Sequence, residues 1–117
     1  MLKMFKGGLH LKYSNKDKRW VTTKPLEYKT KQGWTVEVPA GYSTDLDSVP
    51  RIPFAYAWLK GRATKSAVIH DWLYFNKHNR KEADGIFLNA MEDEGVPSWR
   101  RYPIYAAVRA FGFLAYR

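Results

Sequence analysis

The 117-residue chain contains no cysteine. That excludes a disulfide framework, a thiolate metal site and a cysteine nucleophile. Long apolar runs are missing as well: none approaches the roughly 20 residues a helix needs to cross a bilayer. The opening MLKMFKGGLHLKY has neither an apolar core nor a small-residue cleavage site, so no standard secretion signal is expected. Repeats, linkers and low-complexity segments are also lacking. Acidic residues are scarce, with 11 Asp and Glu against 20 Lys and Arg, a net charge of +9. Apolar residues (45%) and aromatic residues (16%) are plentiful. They supply a core and argue against disorder, which needs a chain too poor in apolar groups to offset its ordering entropy. A single domain over residues 1–117 is the expectation at this length.

The positive charge is concentrated at one end. Residues 1–35 carry nine Lys and Arg against Asp17 and Glu27, whereas residues 36–117 carry eleven basic against nine acidic residues. Lys12, Lys16, Lys18 and Arg19 are therefore candidates for binding an anion such as a nucleic-acid backbone. The competing reading makes these residues the solvated faces and edges of strands, where lysine discourages edge-to-edge pairing.

Hydrophobic spacing predicts an α+β chain. Leu9–Tyr13 alternates as a half-buried strand does, Ser14–Asp17 is turn chemistry, and Arg19–Thr23 follows as a second strand. Leu26–Thr30 and Trp34–Val38 flank a turn at Gln32-Gly33, giving antiparallel strands over about residues 9–38 within a β-rich segment 1–43. Residues 49–117 read as three to four helices packed against them. The first is a short apolar stretch, Pro53–Lys60. Thr64 is placed as N-cap of a helix to about Lys77, and Asn79 with Glu82 as the cap of a helix to about Glu94. Gly95 and Pro97 stop that helix, and a last one starts near Arg101, with Pro103 in its first turn. The apolar segment Ile104–Tyr116 is expected mainly in the core, with a partner surface or an interfacial helix as alternatives.

Three clusters carry polar chemistry: Gly41–Arg51, His70–Tyr74, and Arg80 with Asp84. His70 and Asp71 interrupt an apolar run, a costly place for charge. A helical hairpin would bring Asp84, at the edge of its own apolar stripe, towards them. A ring nitrogen and two carboxylates converging there would suit Zn²⁺, Mn²⁺ or Mg²⁺ and lower the pKa of a bound water for hydrolysis. Asp45, just after a strand, is a further catalytic candidate beside His70 and Asp71. Asp47 or Ser48 reads better as a helix cap. In the competing structural reading, Asp71 or Asp84 pairs with Arg51 or Arg109 in a network that fixes how the helices meet the loop. A serine hydrolase is disfavoured, because no G-x-S-x-G elbow surrounds Ser43 or Ser48.

The ordered string G-Y-S-T-D-L-D-S-V-P-R, A-V-I-H-D-W-L-Y, R-K-E-A-D-G-I-F and Y-A-A-V-R-A-F-G resembles a family of small proteins of tailed phages and prophages that carry a domain of unknown function. The resemblance runs over about residues 9–112 and departs at Asp47, where the family pattern has alanine. It implies that Thr44, Asp45, Arg51, His70, Asp71, Asp84 and Arg109 are the family's polar positions, and it implies phage origin without a reaction. Three functions follow as expectations. One is a phage accessory protein with a His/Asp centre, acting as a divalent-metal-assisted hydrolase on cell-wall or phosphoester substrates. The second is a virion, tail or assembly component whose His/Asp/Arg network is structural and whose partners are other virion proteins. The third is a basic module for nucleic acid or a host protein. The host cytoplasm during infection or the virion is the expected location.

Overall fold

The computed structural model describes residues 5–6, 9–16, 19–44 and 64–113. Asp45, Asp47, Arg51, Lys18 and the apolar stretch Pro53–Lys60 lie outside them. Among the described residues six strands come first: β1 (Phe5–Lys6), β2 (Leu11–Ser14), β3 (Arg19–Thr22), β4 (Leu26–Lys29), β5 (Thr35–Val38) and β6 (Ser43–Thr44). Three helices follow among the same residues: α1 (Thr64–Phe75), α2 (Arg80–Asp93) and α3 (Ser98–Phe111). The strands form two antiparallel three-stranded sheets, ordered β1-β4-β5 and β2-β3-β6. The fold is α+β.

Alternation places the core. Leu26 and Tyr28 on β4 and Val36 and Val38 on β5 are buried, while Lys29, Thr35 and Glu37 face water. These inward side chains meet Val68, Ile69 and Leu73 of α1 and Ala83, Ile86 and Ala90 of α2 in one cluster. A second cluster joins Ala67 of α1, Phe87 and Met91 of α2, and Ile104 and Val108 of α3. Helix α2 thus packs on two sides, against the sheet and α1 through one cluster and against α3 through the other, while Lys81, Glu82 and Glu92 face water. Tyr28 also ties sheet to helix, its hydroxyl donating to Asp93 at 2.5 Å. Burial, and then the Asp93 carboxylate, push that phenol's pKa upward.

The helix ends differ from expectation in instructive ways. Thr64 begins α1 rather than capping it, because the cap comes from the far end of α2. The Glu94 carboxylate accepts the backbone N–H groups of Lys65 (3.1 Å) and Ser66 (3.0 Å) and the Ser66 hydroxyl (2.6 Å). An anion on the orphan donors of a helix N-terminus is stabilising. Replacing it, Glu94→Ala, is expected to cost about 1–2 kcal/mol in a urea titration. Asn79 caps α2 as its sequence implies, its side-chain oxygen accepting the Glu82 N–H at 3.0 Å.

Helices α1 and α2 close with the same motif. The His78 N–H bonds Leu73 O and the Lys77 N–H bonds Tyr74 O; the Val96 N–H bonds Met91 O and the Gly95 N–H bonds Glu92 O. Both therefore require a left-handed residue at the turn. Gly95 adopts it freely at φ 94°, but Lys77 adopts it at φ 57° against the clash of its own Cβ. Lys77→Gly is expected to raise stability by about 0.5–1 kcal/mol, read as a higher urea midpoint at unchanged slope.

Helix α3 starts at Ser98, three residues before the expected Arg101, and so carries Pro103 in its interior. Pro103 is exposed and supplies no N–H to the helix ladder, yet the helix continues past it. The expectation that the last apolar segment sits in the core holds for one face only. Ile104, Ala107 and Val108 are buried, whereas Trp99, Tyr102, Phe111 and Phe113 are 52–61% exposed.

Candidate functional site

His70 and Tyr74 stand four residues apart on α1 and so share one face, as do Arg80 and Asp84 on α2. The four-residue connection Asn76–Asn79 turns the chain back and brings the two faces together. Their meeting point is the Asp84 carboxylate, which has no solvent-accessible surface. Its Oδ1 accepts from His70 Nε2 at 2.7 Å and from the Tyr74 hydroxyl at 2.5 Å, and its Oδ2 accepts from Arg109 Nη1 of α3 at 2.7 Å. Arg80 Nε stands 4.0 Å from the same Oδ2. The other end of that guanidinium donates through Nη2 to Val108 O at 3.0 Å and to Arg109 O, two carbonyls at the C-terminal end of α3, where a cation is favoured.

Packing fixes these partners. The His70 ring lies between Tyr74 and Phe87, with ring centroids 4.1 and 4.6 Å away. The Tyr74 hydroxyl approaches α3 where it ends at Gly112. A Cβ on residue 112 would come within 2.6 Å of that oxygen and 2.5 Å of Val108 O, so only glycine leaves room.

Electrostatics follow from burial and pairing. Desolvation alone would raise the Asp84 pKa, but the hydrogen bonds from His70, Tyr74 and Arg109 outweigh it and hold the carboxyl below the usual carboxylate range. Burial lowers the His70 pKa against the opposing pull of Asp84. His70 is therefore a neutral imidazole whose Nε2 carries the proton, because an ionised carboxylate can only accept. Tyr74 is pushed upward by burial and by the Asp84 charge, and Arg109 is raised by its hydrogen bond to Asp84.

Asp71 goes elsewhere. Adjacent helix positions point about 100° apart, and Asp71 turns from the Asp84 centre towards the strands, where it accepts the Tyr42 hydroxyl. Tyr42 packs edge-on to Trp72 at 5.0 Å and against Phe75 at 5.6 Å. Its backbone is pinned to Thr22 by Tyr42 N→Thr22 Oγ1 and Thr22 N→Tyr42 O, both 2.9 Å. His70, Asp84 and Arg109 thus come together, while Asp71 joins a separate Tyr42 cluster. Among the described residues no three His, Asp or Glu side chains form a group that could hold a metal ion. Thr44 is buried on β6, paired with Trp20. Of the basic candidates, Lys12 and Lys16 are exposed, and Arg19 donates to the Ser43 hydroxyl at 2.8 Å and to Ser43 O at 3.1 Å. Sequence reasoning assigned no role to Tyr42 or Tyr74. The signal for Tyr74 was its spacing of four from His70; Tyr42 had none, because only tertiary folding brings it to Asp71.

Fold and centre together define an α+β domain in which α1, α2 and α3 converge on one buried carboxylate. The chain belongs to the family described as protein of unknown function DUF1353, whose model matches residues 20–108. Neither the curated proteins nor the solved structures yield a match. No helix among the described residues is long and apolar enough to cross a membrane.

Proposed function

We propose that this protein is a non-enzymatic phage component, acting in the particle or its assembly, and that its His70/Asp84/Arg109 centre is architectural. The observation that carries the architectural reading is the saturation of Asp84: both carboxylate oxygens are occupied by donors from the two other helices, in a site without solvent. A metal-ligating or proton-transferring carboxylate needs an oxygen that substrate, ion or water can reach. The resemblance of the motif string to that of small tailed-phage and prophage proteins is what supports the phage origin.

A second reading, the metal-assisted hydrolase with Zn²⁺, Mn²⁺ or Mg²⁺ at His70, Asp71 and Asp84, draws on one feature. Asp71 is half-buried, and among the described residues its Oδ2 accepts the Tyr42 hydroxyl. Binding an ion there would require Asp71 to leave Tyr42 and Asp84 to release donors, each step at the cost of a buried hydrogen bond. Metal content of protein purified without chelator separates the readings. The architectural reading expects no stoichiometric metal, and an Asp71→Asn protein with an unchanged metal level. Near-stoichiometric metal, lost in a still-folded Asp71→Asn variant, would replace it with the hydrolase. The basic N-terminal third, including Lys12 and Lys16, remains a third proposal for nucleic acid or a host protein. It requires binding whose affinity falls steeply with salt.

A further inference from the structure

Alternation along the β2–β3 hairpin sorts its side chains onto two faces. Leu11, Tyr13, Trp20 and Thr22 share one, with Leu11 opposite Thr22 and Tyr13 opposite Trp20, and Thr44 of β6 continues it beside Trp20. Thr22 and Thr44 are buried. Towards the turn the same face comes out into water, where Tyr13 is 42% and Trp20 38% exposed. Their rings meet edge to face, with centroids 5.0 Å apart. Lys12 and Arg19 belong to the other face, and Lys16 stands in the turn that joins the strands.

The hairpin is also strongly basic. Residues 9–24 hold five basic residues, Lys12, Lys16, Lys18, Arg19 and Lys24, against Asp17 alone, a net charge of +4. Several cations elsewhere are paired: Lys6 with Glu27 at 4.0 Å, Lys31 with Glu92 at 3.8 Å and Arg109 with Asp84 at 2.7 Å. Lys12, Lys16 and Lys24 are exposed and have no acidic partner among the described residues.

Within the nucleic-acid reading of the basic N-terminal third, we propose that this hairpin binds single-stranded nucleic acid. Tyr13 and Trp20 stack against bases, and Lys12, Lys16 and Lys24 hold phosphates. Two observations select that ligand. The first is the pairing of charge with rings. Unpaired lysines call for a polyanion, and an exposed aromatic pair on the same hairpin calls for one that carries flat π-surfaces. An acidic polysaccharide or a polyphosphate meets only the first demand. Aromatic stacking beside a positive track is how proteins hold single strands without reading their sequence. The second observation is the division between faces. Among the described residues β2 is the outer strand of its sheet, so a ligand passing around it meets the rings on one face and Lys12 on the other. A single strand bends within a few nucleotides. Duplex DNA is stiff over about 150 bp and keeps its bases stacked inside, so it cannot make both contacts.

The experiment titrates the full chain into a short fluorescein-labelled oligo(dT) and follows anisotropy at several salt concentrations. Affinity is expected to fall with salt at a log–log slope of about −2, from three phosphate contacts at about −0.7 each. Trp20→Ala and Tyr13→Ala should each weaken binding about 5- to 150-fold at an unchanged slope and an unchanged far-UV circular dichroism spectrum. Lys12→Gln and Lys16→Gln together should instead flatten the slope by about 1.4. Trp20→Phe keeps a ring, so it should bind nearly as the parent does while losing most of the quenching of tryptophan emission by bound oligo(dT). An abasic strand of equal length tests stacking on the unaltered protein and should bind as weakly as oligo(dT) does to Trp20→Ala. An abasic strand bound as tightly as oligo(dT), or a duplex bound more tightly than the single strand, overturns the stacking site and leaves a basic surface for nucleic acid standing. No binding at low salt, with or without capture of an acidic protein, overturns both. Neither result bears on the Asp84 centre.

Discussion

Asp84→Ala is expected to lower unfolding stability by about 3–5 kcal/mol, enough to unfold a marginal domain at moderate temperature. The loss does not come from one ion pair. Arg109 is 34% exposed and can turn its guanidinium to water, so its share is the smaller one. His70 and Tyr74 are buried, and each would lose the acceptor that Asp84 gives its N–H or O–H, at about 1–3 kcal/mol apiece. Asp84→Asn separates charge from hydrogen bonding. The amide oxygen can face Arg109 while its NH₂ faces His70, which is neutral and can move its proton to Nδ1, and Tyr74, whose hydroxyl can rotate. That variant is expected to fall well short of the alanine loss, in a urea titration at neutral pH.

The second large effect is acid lability. The folded-state pKa of His70 is depressed below 6.5, so the unfolded chain binds the proton more readily between those values. Stability contributed by His70 is therefore complete above that pH and declines as pH falls below it, at up to about 1.4 kcal/mol per pH unit for one proton. The Asp84 pKa is depressed below 3.8, so its contribution is present above that value and is lost as pH falls through the lower, folded-state pKa. The two losses run in sequence and have the same sign. Midpoints measured from pH 7 downwards should fall from near pH 6 and again in strong acid. His70→Gln keeps a donor for Asp84 but cannot be charged, so it should flatten the upper slope and leave the lower one. An unchanged upper slope in that variant would mean that His70 does not titrate between the two states.

What the sequence made legible follows from what is local. The strands β2 to β5 lie within one or two residues of where alternation and turn chemistry put them, because period and turn are written in neighbouring residues. The two-residue strands β1 and β6 left no such trace. Phe5–Lys6 is a strand only through its pairing with Tyr28 and Glu27, and Ser43–Thr44 only through Val21 and Trp20. The cap of α1 was invisible for the same reason, since it comes from Glu94, far along the chain. Within the site, Asp84 betrayed itself as a charge at the edge of an apolar stripe. His70 and Asp71 misled as a pair: adjacency in sequence suggested one site, but the turn of the helix sends them to different ones. The outward face of α3 was present in the sequence as a run with one charge, but only the packed inner face revealed which side was left over.

The central claim, that Asp84 joins three helices, is tested most directly by native-state hydrogen exchange on the folded Asp84→Asn protein. Amides of α1 and α3 are expected to lose protection together with those of α2, since His70, Tyr74 and Arg109 reach the carboxylate from both neighbours. A loss confined to α2, with α1 and α3 as protected as in the parent, would contradict the account and return the buried carboxylate to the list of groups held for chemistry.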